Sequence, residues 1–104
     1  MKLRLALSPQ AARRWRAICG DYAERNPLAG ERLALAVGAT LNRLLRFPLL
    51  GIPVNEFPGL NLRQVLVDPY RFYYVVDGRR GLVWVLDIWH QAQLVEAPEL
   101  PAGL

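Results

Sequence analysis

The sequence predicts an α+β domain, an N-terminal helical hairpin packed on one face of a small antiparallel sheet. Three observations carry this. Two adjacent segments place apolar residues at three- and four-residue spacing, three strand-like runs follow them, and one short alternating run precedes both. The order is β-α-α-β-β-β, and helices gathered before a strand meander cover one side of the sheet.

The alternating run comes first. Leu3, Leu5 and Leu7 alternate with Lys2, Arg4 and Ala6, a short strand expected to pair within the same sheet. Ser8-Pro9 is then a helix N-cap followed by a first-turn proline. From Pro9 to Arg25, Ala12, Trp15, Ile18, Cys19, Tyr22 and Ala23 form an apolar stripe, with Arg13, Arg14, Arg16, Asp21 and Glu24 largely opposite. Asn26-Pro27 repeats the start signal, so the linker is almost nil and the helices form an αα-hairpin. The second helix runs from Pro27 to Arg46, with Leu33, Ala36, Val37, Thr40, Leu41, Leu44 and Leu45 on its apolar side, and Phe47-Pro48 ends it. Leu28, Ala29, Leu35 and Ala39 spill beside that stripe and predict a partly apolar outer surface, suited to a partner segment.

Gly51, Pro53, Pro58 and Gly59 make Leu49–Gly59 a loop. Strands are expected over Leu60–Val67, Arg71–Asp77 and Leu82–Trp89. Asp68-Pro69 separates the first two, and the turn Asp77-Gly78-Arg79-Arg80-Gly81 separates the last two. Residues 1–93 therefore make one domain. Residues 94–104, with Pro98, Pro101 and Gly103, have no clear period and read as a tail.

With 104 residues, 53% of them hydrophobic, the chain holds one modest core and is not of the disordered class. That apolar fraction is high enough to leave surface for a partner. The longest apolar uncharged run lies between Arg32 and Arg43, well short of the roughly 20 residues that cross a bilayer. The start Met1-Lys2-Leu3-Arg4-Leu5 has no apolar stretch behind it, so no secretory signal is read. Cys19 is the only cysteine, which excludes an internal disulfide and points to a reducing cytoplasm. Net charge is +4, and twelve of the thirteen basic residues are arginine. Arginine forks carboxylates and phosphates, so the bias suits an anionic partner, nucleic acid or acidic protein; a GC-rich codon preference produces the same bias.

Taken in order, several segments resemble the RelE/ParE toxin superfamily of type II toxin–antitoxin systems. Leu7-Ser8-Pro9-Gln10-Ala11 is similar to its strand-to-helix start, and Asn26-Pro27-Leu28-Ala29 to its helix junction. Leu45-Arg46-Phe47-Pro48-Leu49-Leu50-Gly51 resembles its helix end. Leu62–Val67 and Tyr70–Val76 resemble its central strands, and Val85-Leu86-Asp87-Ile88-Trp89-His90 its last strand. The resemblance covers Leu3 to His90. It implies one of two activities: RelE-like messenger cleavage on the ribosome, or ParE-like inhibition of DNA gyrase. Either would be neutralised by an antitoxin, here a ParD-like one in a hetero-oligomeric complex. A decayed toxin that only binds its antitoxin is a third reading.

Arg63 and Arg71 stand in otherwise apolar strands. The resemblance to RelE-like nucleases makes them candidates for holding phosphate; the structural alternative stacks them on Tyr73 or pairs them with Asp68 or Asp87. By strand parity Arg63 goes with Val65 and Val67, and Arg71 with Tyr73 and Val75. An arginine is costly to bury alone, so both sets are expected on the face the helices leave uncovered, where they would bind an antitoxin or target. His90, the only histidine, is a candidate general base or a residue that merely closes a strand. RelE-like nucleases carry Arg just after this strand and Tyr further on. Here Gln91, Ala92 and Gln93 follow, with no Arg, Lys or Tyr beyond Arg80, which favours the ParE-like reading.

Tyr70, Tyr73, Tyr74, Trp84 and Trp89 make the sheet aromatic, for core packing or for stacking on bases. Arg13, Arg14 and Arg16 form a solvated helix face or meet an acidic partner. Cys19 is expected to be a buried, inert thiol. One His and one Cys far apart have no ligand spacing, so neither metal nor cofactor is expected.

Overall fold

The computed structural model describes residues 2–93 and 98–100, so most of the expected tail, 94–97 and 101–104, lies outside the described residues. The elements run β1 (Arg4–Leu7), α1 (Pro9–Arg25), α2 (Pro27–Arg46), β2 (Ile52–Pro53), a 3₁₀ turn (Pro58–Leu60), β3 (Arg63–Val67), β4 (Tyr70–Asp77) and β5 (Leu82–His90). The two helices stand where the sequence puts them, and the three later strands follow in the expected order, the first of them starting at Arg63 rather than Leu60.

Local chemistry starts and stops the helices. The Ser8 hydroxyl accepts from the Ala11 amide at 3.0 Å and donates to the Leu86 carbonyl at 2.7 Å, so one buried side chain caps α1 and pins it to β5. Such a cap stabilises by about 1 kcal/mol. Asn26 closes α1 through its amide, 2.8 Å from the Tyr22 carbonyl, and opens α2 through its side chain, 3.2 Å from the Ala29 amide. Prolines follow both caps, where a missing N–H costs nothing. At Gly30 a methyl group would stand 2.8 Å from Tyr22 Cβ, which sets how closely the helices pack.

The five strands lie in the order β1-β5-β4-β3-β2. β3, β4 and β5 form the expected antiparallel meander. β1 pairs with β5 in parallel, so the sheet is mixed rather than wholly antiparallel. The reason is connectivity: Ser8 lifts the chain off the sheet into the hairpin, and the meander ends with β5 running back along β1. The two-residue β2 lies inside the segment read as loop. It pairs Ile52 with Gln64 and Pro53 with Arg63. Proline cannot donate to a ladder, and an edge strand tolerates that.

Both faces of the sheet are apolar. On the helix side, Ala11, Leu33, Val37, Leu41 and Leu44 pack against Val65, Val67, Phe72, Tyr74, Val83, Val85 and Ile88. Full burial of a side chain such as Leu44 or Phe72 stabilises by about 1.5–3 kcal/mol. On the far side, Tyr73, Val75, Leu86 and Trp89 are covered by Val54, Phe57, Leu60 and Leu62. The face expected to be uncovered is therefore capped by the β2–β3 connection. Leu60–Leu62 is not the start of a strand: it leaves the 3₁₀ turn through Asn61 in the left-handed region, at φ 50°.

A register shift between Tyr73 and Tyr74 moves their β5 partners from Asp87 to Val85, so Leu86 is an extra residue. The shift explains why Val83 and Val85, then Ile88, face the helices, while Leu86 and Trp89 join the far layer. Among the described residues, no helix is long and apolar enough to cross a membrane.

Candidate functional site

The bulge gathers a polar cluster on the far face. Arg71 is opposite Trp89 and Tyr73 is opposite Asp87. Arg14 reaches this cluster from α1. Its Nε lies 2.7 Å from Asp87 Oδ1, and its guanidinium carbon lies 4.5 Å from the centre of the Trp89 ring. The Asp87 side chain is 3% exposed and the Arg14 side chain 33%, so the pair shields a buried carboxylate with a cation that still meets solvent. The Ile88 amide also donates to Asp87 Oδ1, at 2.8 Å. Burial nonetheless holds the Asp87 carboxyl above its ordinary value, against the pull of the Ile88 amide and Arg14. Burial likewise raises the Tyr73 phenol, with Arg71 working in the opposite direction.

Arg71 anchors the chain beyond β5. Its Nη2 donates to the Gln91 carbonyl at 2.7 Å and to the Gln93 carbonyl at 3.2 Å. Neither predicted carboxylate partner serves it: Asp87 takes Arg14, and Asp68 accepts from Gln91 Nε2 at 3.2 Å.

Arg63 departs from its expected place. It shares its side of β3 with Val65 and Val67, which pack under the helices, so it lies on the helix side and not with Arg71. Its Nη1 donates to the carbonyls of Gly51 at 2.7 Å and Leu49 at 3.3 Å. Arg63 keeps its parity with Val65 and Val67, and this sets all three on the helix side, where the Gly51 and Leu49 carbonyls give the half-buried guanidinium its partners.

His90 and Arg13 lie apart from the cluster. The His90 ring stands edge-on to Tyr70 at 5.6 Å between centroids, and its Nδ1 accepts from the Ala92 amide at 3.1 Å. Burial and the neighbouring Tyr22 hydroxyl push the Tyr70 phenol up to about 12. Arg13 donates to Gln10 Oε1 at 2.8 Å and lies 3.7 Å from Glu99 Oε2. Cys19 is exposed, not buried: the α1 face that packs holds Ala11, Trp15, Ile18 and Tyr22, and Cys19 falls just off it. The candidates Arg14, Arg71 and Tyr73 thus converge, while Arg63, His90 and Arg13 do not join them. Sequence reasoning missed Asp87 as the partner of Arg14. An acid flanked by apolar residues in the last strand was the available signal.

A family model described as the ParE toxin of type II toxin–antitoxin system, parDE, matches residues 5–95. The chain belongs to the ParE toxin family. Among solved structures, a ParE-like fold is found in a chain described as the chromosomal ParDE TA system from P. aeruginosa. It has a TM-score of 0.67 and 19% identity, covering 86% of this chain and 96% of that one. At that identity the likeness concerns the fold. The comparison with curated proteins gives no match. In this ParE-family chain, Arg63 and Tyr74 hold Pro48–Gly51, the last four residues of the Leu45–Gly51 segment.

Proposed function

We propose that this ParE-family toxin acts in the cytoplasm as a non-enzymatic inhibitor of DNA gyrase and is neutralised by a cognate, ParD-like antitoxin. The observation that carries the reading is how the cationic side chains are used. A ribonuclease site needs a base, an acid and free cations converging on one phosphate. Here Arg63 and Arg71 donate to backbone carbonyls, and Arg14 is committed to Asp87. His90 Nδ1 accepts a backbone amide, and Gln91, Ala92 and Gln93 follow it. These commitments support a protein that works by binding over one with a reaction centre at these side chains.

The test is a pair of assays on the purified chain. Gyrase supercoiling should be inhibited and the antitoxin should relieve the inhibition, while messenger on ribosomes stays uncut. Site-specific cleavage at the ribosome with gyrase unaffected would reverse the assignment.

A further inference from the structure

The end of the sheet at the β4–β5 turn gathers positive charge. Arg4 of β1 pairs with Leu82 of β5, and Leu82 pairs with Asp77 of β4, so the three form one row across the sheet. The next row on that side holds Ala6, Trp84 and Val75, and Trp84 and Val75 belong to the far layer, so Arg4 projects on the far face. The Arg4 amide donates to the Gly81 carbonyl at 2.9 Å, which ties the start of β1 to the turn 77–81. Lys2 lies against the same turn: its carbonyl oxygen is 3.6 Å from where a Cβ on Gly81 would stand. Lys2, Arg4, Arg79 and Arg80 are all exposed.

This charge is barely neutralised from within. Asp77 is the one acidic residue in segments 2–5 and 77–82, which leaves them a net charge of +3. Its carboxylate is committed to the turn: the Arg80 amide donates to Oδ1 at 3.1 Å, and Arg80 Nε lies 3.6 Å from Oδ2. Among the described residues, Lys2, Arg4 and Arg79 take no part in an ion pair. At Gly78 an added methyl group would meet nothing within 4 Å, so the backbone of the turn is open to a closely approaching ligand. A hollow of about 880 Å³ lies beside it, with Asp77 the only acidic residue in a lining that includes Arg79 and Arg80.

We propose that this cationic pole binds the phosphate backbone of duplex DNA without reading its sequence. The inference goes beyond the gyrase reading and does not depend on it, since the chain itself holds the DNA. Guanidinium and ammonium groups set around a fixed turn match successive phosphates. Composition separates this partner from the alternatives. Protein interface cores are rich in aromatic residues and depleted of charge, and single strands are held by stacking bases on aromatic rings. Segments 2–5 and 77–82 hold no aromatic residue.

The experiment titrates the full chain into a labelled duplex of mixed sequence, followed by fluorescence anisotropy between about 50 and 200 mM salt. Log affinity should fall against log salt with a slope of about −3, as about three phosphate contacts require. Arg4→Gln and Arg79→Gln together should weaken binding at least about tenfold at low salt and make the slope shallower by about 2. Arg25→Gln and Arg32→Gln together remove the same charge from exposed positions on the helical hairpin and should bind as wild type does. Circular dichroism checks each fold. If the pole variant misfolds, wild-type amide resonances decide: duplex should shift those of 2–5 and 78–82, and shifts confined elsewhere would overturn the pole. A folded pole variant that binds like wild type, equal weakening by both pairs, or no binding by wild type at low salt would each overturn the proposal. So would tighter binding to a single-stranded RNA of the same length. Displacement of the duplex by poly-glutamate at equal charge would make the pole an acidic-protein surface and equally overturn it.

Discussion

Arg63 and Tyr74 face each other across β3 and β4 and hold the same loop from two sides. The Tyr74 hydroxyl donates to the Pro48 carbonyl at 2.7 Å and accepts from the Gly51 amide at 2.8 Å. Arg63 donates to the carbonyls of Leu49 and Gly51. Four hydrogen bonds thus fix the turn that carries the chain from α2 to the sheet edge.

Tyr74→Phe should therefore destabilise the fold. The hydroxyl is fully buried, and its loss leaves the Gly51 amide and the Pro48 carbonyl without this partner. The expected cost is about 1–3 kcal/mol, read from urea unfolding. A variant as stable as wild type would mean that water replaces the phenol.

Two glycines should respond in opposite senses. Gly51→Ala forces a methyl group against the Gln64 carbonyl oxygen and the Tyr74 ring, and should cost at least about 2 kcal/mol or shift the loop. Gly38 lies within α2 with nothing within 4 Å of the added carbon. Gly38→Ala should stabilise by about 0.5–1 kcal/mol. Thermal melts of the two variants compare them directly.

Asp87 should give the stability a distinctive pH dependence. Burial raises its carboxyl above 3.8, so the folded chain binds that proton more tightly than the unfolded one. Its contribution is full below about pH 3.8 and is lost as pH rises through the raised value. Asp87→Asn lacks this term. The difference in Tm, wild type minus variant, should fall as pH rises across that window. A difference that grows with pH would mean that Arg14 and the Ile88 amide outweigh burial.

His90→Ala should leave growth arrest nearly intact. The side chain is exposed; it accepts one amide and packs on Tyr70. Loss of that bond should cost only about 0.5–1.5 kcal/mol. Arrest abolished in a variant that folds normally would return His90 to the centre of the mechanism.

Arg63→Gln and Arg71→Gln, which parity reasoning joins on one face, should separate. Arg63→Gln should loosen Leu49–Gly51, whereas Arg71→Gln should release Gln91–Gln93. Hydrogen exchange of each variant would show which segment loses protection; the same segment responding in both would contradict the assignment.

By itself the sequence determined the two helices, the first strand and the three later strands in their order, though not the short β2, because caps, prolines and apolar spacing act over three or four residues. Ser8-Pro9 and Asn26-Pro27 start the helices, and Phe47-Pro48 ends the second. Local pattern also conveyed the parity of β3 and β4. Which face each parity set occupies was decided by tertiary structure. The β2–β3 connection folds back over Tyr73 and Val75 and leaves no open face there. The extra residue in β5 brings Asp87 to the face that Arg14 reaches, a pairing over 73 positions of sequence that no local period encodes. Arg63 could be placed only once the Leu49 and Gly51 carbonyls lay beside it, because a guanidinium is satisfied by whichever acceptors the fold delivers.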